Sequence, residues 1–163
     1  MAVEPLRSPL RRGFGVPWLL LCLAFTLHVW DEAAHDFLSY YNATVLTLYG
    51  HFSWFPRVDL TYHAWWTSMA VTIAVCSALS PFAFRNARWL RPFAYLFAFL
   101  LFLNGIAHTA SEIRGGTVPS VRFAGIAPGF YTAPLLLMAS AYLLWRLRKT
   151  AHPQATPPAK SRS

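Results

Sequence analysis

The sequence predicts an all-α protein, a four-span transmembrane helical bundle, from three observations. Of its 163 residues, 56% are hydrophobic and only 12% are charged, which is too apolar for a soluble domain of this size. Four apolar runs are each long enough to cross a bilayer as a helix. The basic residues lie in short clusters between these runs, a pattern typical of membrane topology signals. We therefore expect membrane lipids, and no nucleic acid, as partners.

The predicted elements follow the apolar runs along the chain. A membrane domain covers 14–150, with spans at about 14–36, 60–84, 92–112 and 129–148. A cytoplasmic basic lead, 1–13, precedes it, and a Pro-rich cytoplasmic tail, 151–163, is expected to be disordered. Between the first two spans, aromatic residues recur at helical spacing from Phe37 to Val58, with Asn42 as the expected N-cap. This segment predicts an interfacial helix, because aromatic side chains settle at the level of the lipid headgroups.

The distribution of basic residues predicts the orientation of the bundle. With the N-terminus inside, eleven of the fourteen Lys and Arg residues fall on the inner side, and only Arg57, Arg114 and Arg122 fall outside. This asymmetry follows the positive-inside rule and predicts a multi-pass protein of the plasma (cytoplasmic or inner) membrane with both termini cytoplasmic. A basic lead before an apolar run is also typical of a secretory signal peptide, but this run is long for one and lacks a clear cleavage site.

The stretch from His28 to Asp36 places five ionisable groups directly after the first apolar run. At 100° per residue, His28, Glu32 and His35 fall within about 60° of one another on one helix face, with Asp31 beside them. An ionised side chain at the centre of a membrane helix costs about 2.5–3.5 kcal/mol, and less near an interface. Several such groups together therefore indicate a paired or functional site.

A second polar group lies on the third span. Counting from Val16 to His28 on the first span and from Pro92 to Asn104 on the third gives twelve residues each, or about 18 Å along each helix. The two spans run in the same direction, and we expect these two residues at one level. Glu32 and His108 are then expected one turn further out, near the outer boundary of the hydrocarbon layer.

Three motifs resemble those of the HXXEE family of small, mostly bacterial integral membrane proteins. They are His28-Val29-Trp30-Asp31-Glu32, Asn104-Gly105-Ile106-Ala107-His108, and Pro128-Gly129 before the last span. The resemblance extends over most of the membrane domain and implies that His28, Asp31, Glu32, Asn104 and His108 are the motif positions. Asp31 stands where the family's name motif has its first Glu, and the loop from Gly115 to Ala127 is longer than the family pattern. The family has no established biochemical activity, so the resemblance implies a fold and a site but no reaction.

Imidazole and carboxylate groups on two parallel helices are suited to Zn, Fe or Mn. The first hypothesis is therefore a metal-dependent membrane hydrolase or oxidoreductase that acts on a lipid-like substrate at the outer leaflet. The predicted metal ligands are His28, Glu32, His35 and His108, with Glu32 and His35 as alternatives. The predicted catalytic residues are Asp31, Glu32 and Asn104: Asp31 or the remaining carboxylate acts as general base, and Asn104 orients a ligand or polarises the substrate.

Other functions fit the same residues. A proton or small-solute relay would use His28, Glu32 and His108 in a water-filled vestibule. A haem could bind between His28 and His108, and a non-catalytic membrane scaffold needs no reactive centre. The sequence leaves open a homo-oligomer, and also whether Asp59, His63 or Glu112 joins the site.

Overall fold

The computed structural model describes residues 13–151. The predicted basic lead up to residue 12 and the predicted tail from residue 152 lie outside the described residues. The described chain is predominantly helical and also contains one short antiparallel hairpin. Its elements are α1 (Gly15–Ala34), α2 (Phe37–His51), α3 (Tyr62–Ala78), α4 (Ser80–Phe84), α5 (Leu90–Arg114), β1 (Gly116–Val118), β2 (Val121–Arg122) and α6 (Ala133–Ala151).

Three helical segments in this part of the chain are long and apolar enough to cross a membrane: α1, α3 continued by α4, and α5. They coincide closely with the first three predicted spans and indicate a membrane protein. Their outward faces are rich in exposed apolar side chains, including Val71, Val75, Leu96, Phe99, Leu100 and Leu103. Soluble monomers rarely expose apolar surface on this scale, whereas lipid tails cover it without cost.

Helix α6 differs from the predicted fourth span. It begins at Ala133 rather than near residue 129, because Pro128 to Thr132 form turns. Its sequence is apolar as far as Trp145, and the remaining residues include Arg146, Arg148 and Lys149. The uninterrupted apolar part is therefore about 20 Å long, which is shorter than a typical hydrocarbon layer.

Helix α1 lies at the centre of the bundle and packs against α3, α4, α5 and α6. Trp18 is fully buried, and its indole Nε1 donates a hydrogen bond of 3.0 Å to the carbonyl of Cys76 on α3. Helices α5 and α6 approach closely at Gly105, where an added Cβ would lie 2.8 Å from Cγ of Leu137. A small residue at a contact between membrane helices permits this separation, and it brings the start of α6 against the end of α5.

Asn42 is not an N-cap, which corrects the sequence prediction. Helix α2 begins at Phe37, after Asp36 in a left-handed conformation, so Asn42 lies inside the helix. Its side chain holds the loop before α3: Oδ1 accepts from the amide of Leu60 at 3.0 Å, and Nδ2 donates to the Leu60 carbonyl at 2.9 Å. A half-buried amide that satisfies both backbone groups of one residue anchors α2 to the start of α3.

The loop after α5 contains the hairpin β1–β2, which the sequence analysis treated as irregular. Its polar atoms attach it to the helices: the Thr117 hydroxyl bonds that of Thr44 on α2, and the hydroxyl of Tyr40 accepts from the amide of Ala124 at 3.2 Å. Glu112 on α5 accepts from the amide of Ala127 at 2.7 Å. These contacts hold the hairpin and the loop that follows it against α2 and the end of α5.

Candidate metal centre

Three side chains converge where α1 and α5 approach their C-terminal ends. His28 and Glu32 lie one turn apart on α1, and His108 lies on α5; one ligand atom from each falls within 4.8 Å of the other two. Oε1 of Glu32 is 3.0 Å from Nε2 of His108 and 3.5 Å from Nε2 of His28. His28 is 1% exposed and Glu32 is 5% exposed, so water does not surround the group.

The tautomer of His108 follows from its neighbours. Nδ1 lies 2.5 Å from the carbonyl oxygen of Pro128. A carbonyl can only accept, so Nδ1 carries the hydrogen and donates it. In the neutral ring, Nε2 then presents a lone pair, and this atom is the one that faces Glu32.

The tautomer of His28 follows from a longer chain of hydrogen bonds. The hydroxyl of Thr132 donates to Oδ2 of Asp31 at 2.9 Å, and the amide of Thr132 donates to the same oxygen at 3.0 Å. Since its single hydrogen is used, the hydroxyl accepts from Nδ1 of His28 at 2.9 Å. Nε2 of His28 therefore also presents a lone pair, and it has no hydrogen-bond partner among residues 13–151.

With both rings neutral, two imidazole lone pairs and a carboxylate point at one another without a hydrogen between them. Three acceptors at this separation, two of them on buried residues, repel one another unless a cation lies among them. A proton or a metal ion satisfies the arrangement. Neutral imidazole Nε2 atoms whose Nδ1–H groups are held by protein acceptors are the ordinary state of metal-binding histidines. The donor set fits a divalent transition metal.

Gly129 closes the centre from the side of the turn. Its φ is +75°, and an added Cβ would lie 2.6 Å from Cε1 of His28 and 2.9 Å from Nδ1 of His108. Its backbone therefore packs directly on both imidazole rings, whose centroids are 4.7 Å apart. No chemistry was predicted for Pro128-Gly129, but the Pro128 carbonyl accepts a hydrogen bond from His108, and the Gly129 backbone packs against both rings.

Asp31 lies beside the group rather than in it. Oδ2 accepts both hydrogen bonds from Thr132, and Oδ1 lies 2.9 Å from Nδ1 of His35. The carboxylate therefore lies at the start of α6, where a negative charge is favourable. It also orients Thr132, whose hydroxyl in turn orients His28. Asp31 was predicted as a general base, but its carboxylate does not lie among the three converging ligand atoms.

His35 is also outside the group of three ligands. Its Nδ1 is directed to Asp31, and its side chain is 34% exposed, in contact with the ring of Tyr131. Helical spacing alone predicted His35 on the same face as His28 and Glu32, but α1 ends at Ala34, one residue before His35. The side chain therefore does not continue the ligand row.

Asn104 lies one helical turn before His108 on α5, as expected. Its Oδ1 is buried and has no hydrogen-bond partner among the described residues. An unsatisfied buried amide oxygen costs about 1–3 kcal/mol. It therefore offers an acceptor to a group that residues 13–151 do not supply.

The other candidates lie elsewhere. His63 is exposed at the start of α3, and Asp59 pairs with Arg57 at 3.2 Å on the surface. Glu112 is occupied by the amide of Ala127. None of these three belongs to the group of converging ligands within residues 13–151.

Thr132 is the functional residue that sequence reasoning missed. It lies in the turn before α6, more than one hundred residues from Asp31, and nothing in its local sequence distinguishes it from other threonines. The motif Pro128-Gly129 three residues earlier was the available signal, because it indicated a constrained turn without indicating what the turn contacts.

Thr132→Val should weaken metal binding by about 10–100-fold, because the valine cannot accept from Nδ1 of His28 and leaves the ring free to turn. Competitive titration with a fluorescent zinc chelator measures the zinc affinity of the variant and of wild type. Thr72→Val is the matched control, since the Thr72 hydroxyl only donates to the Ser68 carbonyl on the exposed face of α3. Equal affinities of the two variants would contradict the role of Thr132.

A cavity of about 160 Å³ opens beside the centre, with His108 in its wall. Its lining is mostly aromatic and apolar and comes from α2, α5, the hairpin and the following loop. Phe37 lines this cavity and also a smaller one of about 30 Å³ that reaches Glu32. Its ring centroid lies 6.1 Å from that of His108. Phe37 is thus shared by a cavity that reaches His108 and a cavity that reaches Glu32.

Comparisons with known proteins add no function to this geometry: no protein-family model, curated protein or solved structure matches the chain.

Proposed function

We propose that this chain is a metal-dependent membrane enzyme acting on a lipid-like substrate, with His28, Glu32 and His108 as ligands of one divalent transition metal, Zn, Fe or Mn. The observation that carries the proposal is the convergence of three ligand atoms, two of them on buried residues, with an Nδ1–H of each imidazole directed away from the centre. Two imidazoles and one carboxylate are the ligand set of several catalytic zinc sites, which keep a fourth position open. Three protein ligands therefore favour a catalytic centre over a closed structural one.

The residues around the ligands have separate tasks in this proposal. The Pro128 carbonyl and the Thr132 hydroxyl hold the two imidazoles, and Asp31 positions Thr132. The Asn104 oxygen accepts a hydrogen bond from water or from a substrate hydroxyl. The metal, when bound, supplies Lewis-acid activation of water or of a carbonyl or phosphoryl oxygen. Hydrolysis is the reaction class we favour, because it needs only the metal, water and substrate.

We further propose that α6 is the fourth span, with both termini on the cytoplasmic side of the inner membrane. Although the apolar part of α6 is short, Arg148 and Lys149 at its end can extend their apolar stems toward the interface, as basic residues at membrane helix ends do. The excess of basic residues in the predicted inner segments supports the orientation. The three converging ligands are among the positions that the resemblance to the HXXEE family implies, and membership of that family is part of the proposal.

Asn104→Ala should lower turnover by about 10–1,000-fold while bound metal is unchanged, because the variant removes a buried acceptor one helical turn from His108 but no ligand. Purified protein in bicelles, loaded separately with Zn, Mn or Fe(II), is assayed for products released from ester-linked and phosphodiester-linked lipids. Ser140→Ala is the control, since Ser140 is fully buried on α6. The proposal would be contradicted if metal-loaded wild type released no product from any of these lipids. It would also be contradicted if Asn104→Ala were as active as wild type.

One observation favours a proton relay as a second candidate. Hydrogen bonds continue from His28 through Thr132 and Asp31 to His35, which is partly exposed. Such a chain can carry protons between a buried group and the surface. The two functions separate experimentally: a relay gives a proton flux into vesicles in the presence of a chelator, whereas the enzyme loses its activity there.

A further inference from the structure

We propose that the substrate is an anionic, phosphate-bearing amphiphile whose apolar portion enters the cavity beside His108 while Arg114 and Arg122 bind its phosphate. The inference rests on the proposed function, because it names the substrate class of that metal centre. It is carried by two neighbouring depressions of different character that share Thr117 in their walls.

The cavity beside His108 suits an uncharged chain segment. Phe37, Tyr40, Tyr41 and Phe123 supply most of its wall, and none of its lining residues is an acid or a Lys or Arg. The hydroxyls of Thr44 and Thr117 satisfy each other, so they leave few polar atoms for a ligand. Sites that enclose a whole drug-sized ligand have volumes of about 300–1,000 Å³. A cavity of about 160 Å³ therefore takes part of a molecule and leaves the remainder outside.

The second depression is basic. It has a volume of about 310 Å³ and is lined by Arg114 and Arg122 with residues of the hairpin. Nη1 of Arg122 donates to the Arg114 carbonyl at 2.6 Å, and Nε of Arg114 donates to the Ala110 carbonyl at 3.2 Å. These contacts fix both side chains through one nitrogen each and leave other guanidinium donors available. A planar guanidinium is well matched to phosphate oxygens.

Neither arginine has its charge compensated within residues 13–151. The nearby carboxylate of Glu112 accepts from the Ala127 amide instead, whereas Arg57, elsewhere on the surface, pairs with Asp59. The sequence places only three basic residues in the predicted outer segments, and two of them line this depression. Two unpaired cations beside an apolar cavity are complementary to a molecule with a negative headgroup and an apolar tail.

The test compares phosphatidylglycerol with diacylglycerol of the same acyl chains, using the full chain purified in detergent and native mass spectrometry. Wild type should retain phosphatidylglycerol preferentially, and Arg114→Gln/Arg122→Gln should lose that preference by about tenfold or more. Arg57→Gln/Arg85→Gln is the matched control, because it removes the same charge from exposed positions outside both depressions. An unchanged preference in the Arg114/Arg122 variant would overturn the proposal, as would displacement of the lipid by an equal concentration of inorganic phosphate.

A second measurement separates this inference from the metal centre. Bound zinc is determined in the same samples, together with Glu32→Gln. We expect Arg114→Gln/Arg122→Gln to keep its zinc and Glu32→Gln to keep its phosphatidylglycerol. If lipid binding depended on the two arginines but the protein never bound metal, the proposed function would be refuted and the amphiphile site would stand. Metal binding without any lipid preference would refute the amphiphile site alone.

Discussion

Glu32→Gln should reduce metal binding by more than about 100-fold, because it replaces the only carboxylate among the three converging ligands. Loss of an outer partner of a ligand typically costs 10–100-fold in affinity, and loss of the ligand itself should cost more. The glutamine amide can donate a hydrogen to Nε2 of His28 or His108, where the wild type presents a lone pair. The variant should therefore fold and should not need a cation. Elemental analysis of the detergent-purified protein measures metal per chain.

Glu112→Gln is the matched control for this measurement. Glu112 is the acidic residue of α5 at the same end of the bundle, and a glutamine oxygen can still accept from the Ala127 amide. We expect its metal content to equal that of wild type. The metal site would be contradicted if wild type and Glu32→Gln carried the same amount of metal per chain, or if neither carried any after loading. A proton shared among the three ligand atoms would then explain their convergence.

Gly129→Ala should give the largest combined loss of stability and metal binding. A left-handed backbone conformation is unfavourable for alanine, and the added Cβ would lie 2.6 Å from Cε1 of His28. The backbone or the imidazoles must therefore move, which should lower the free energy of unfolding by about 2–4 kcal/mol. It should also displace the Pro128 carbonyl from His108. Thermal unfolding followed by circular dichroism, with and without zinc, measures both effects.

Gly125→Ala serves as the control, because Gly125 lies in the same loop and no atom lies within 4 Å of an added Cβ. It should leave Tm and metal binding close to wild type. The expected signature of Gly129→Ala is a lower Tm together with a much smaller stabilisation by zinc. A variant with a lowered Tm but the wild-type response to zinc would show that Gly129 supports the fold and not the metal centre.

Much of the site was predictable from local periodicity. His28 and Glu32 share a helix face by their spacing of four, and counting along two parallel spans placed them near the level of His108 on another helix. These inferences need only helix geometry and the cost of burying charge in a membrane, and both act within a single span. The three apolar spans and the contact between Glu32 and His108 follow from the same physics.

Other assignments depended on where distant segments meet. Periodicity also selected His35, but the end of α1 at Ala34 turned that side chain to Asp31. The role of Asp31 was decided by Thr132, which approaches it from the start of α6. The hairpin that shapes the cavity was not anticipated, because its strands are short and its hydrogen bonds run to α2 as well as between strands.

The sequence by itself determined that His28 and Glu32 share a helix face and lie near the level of His108, since both follow from a fixed rise and rotation per residue. Only the tertiary structure decided which ring nitrogens point at Glu32. The hydrogen on each imidazole is held by an acceptor from the turn before α6, Pro128 for one ring and Thr132 for the other. A tautomer depends on contacts within about 3 Å, and no pattern along one helix contains the atoms that make those contacts.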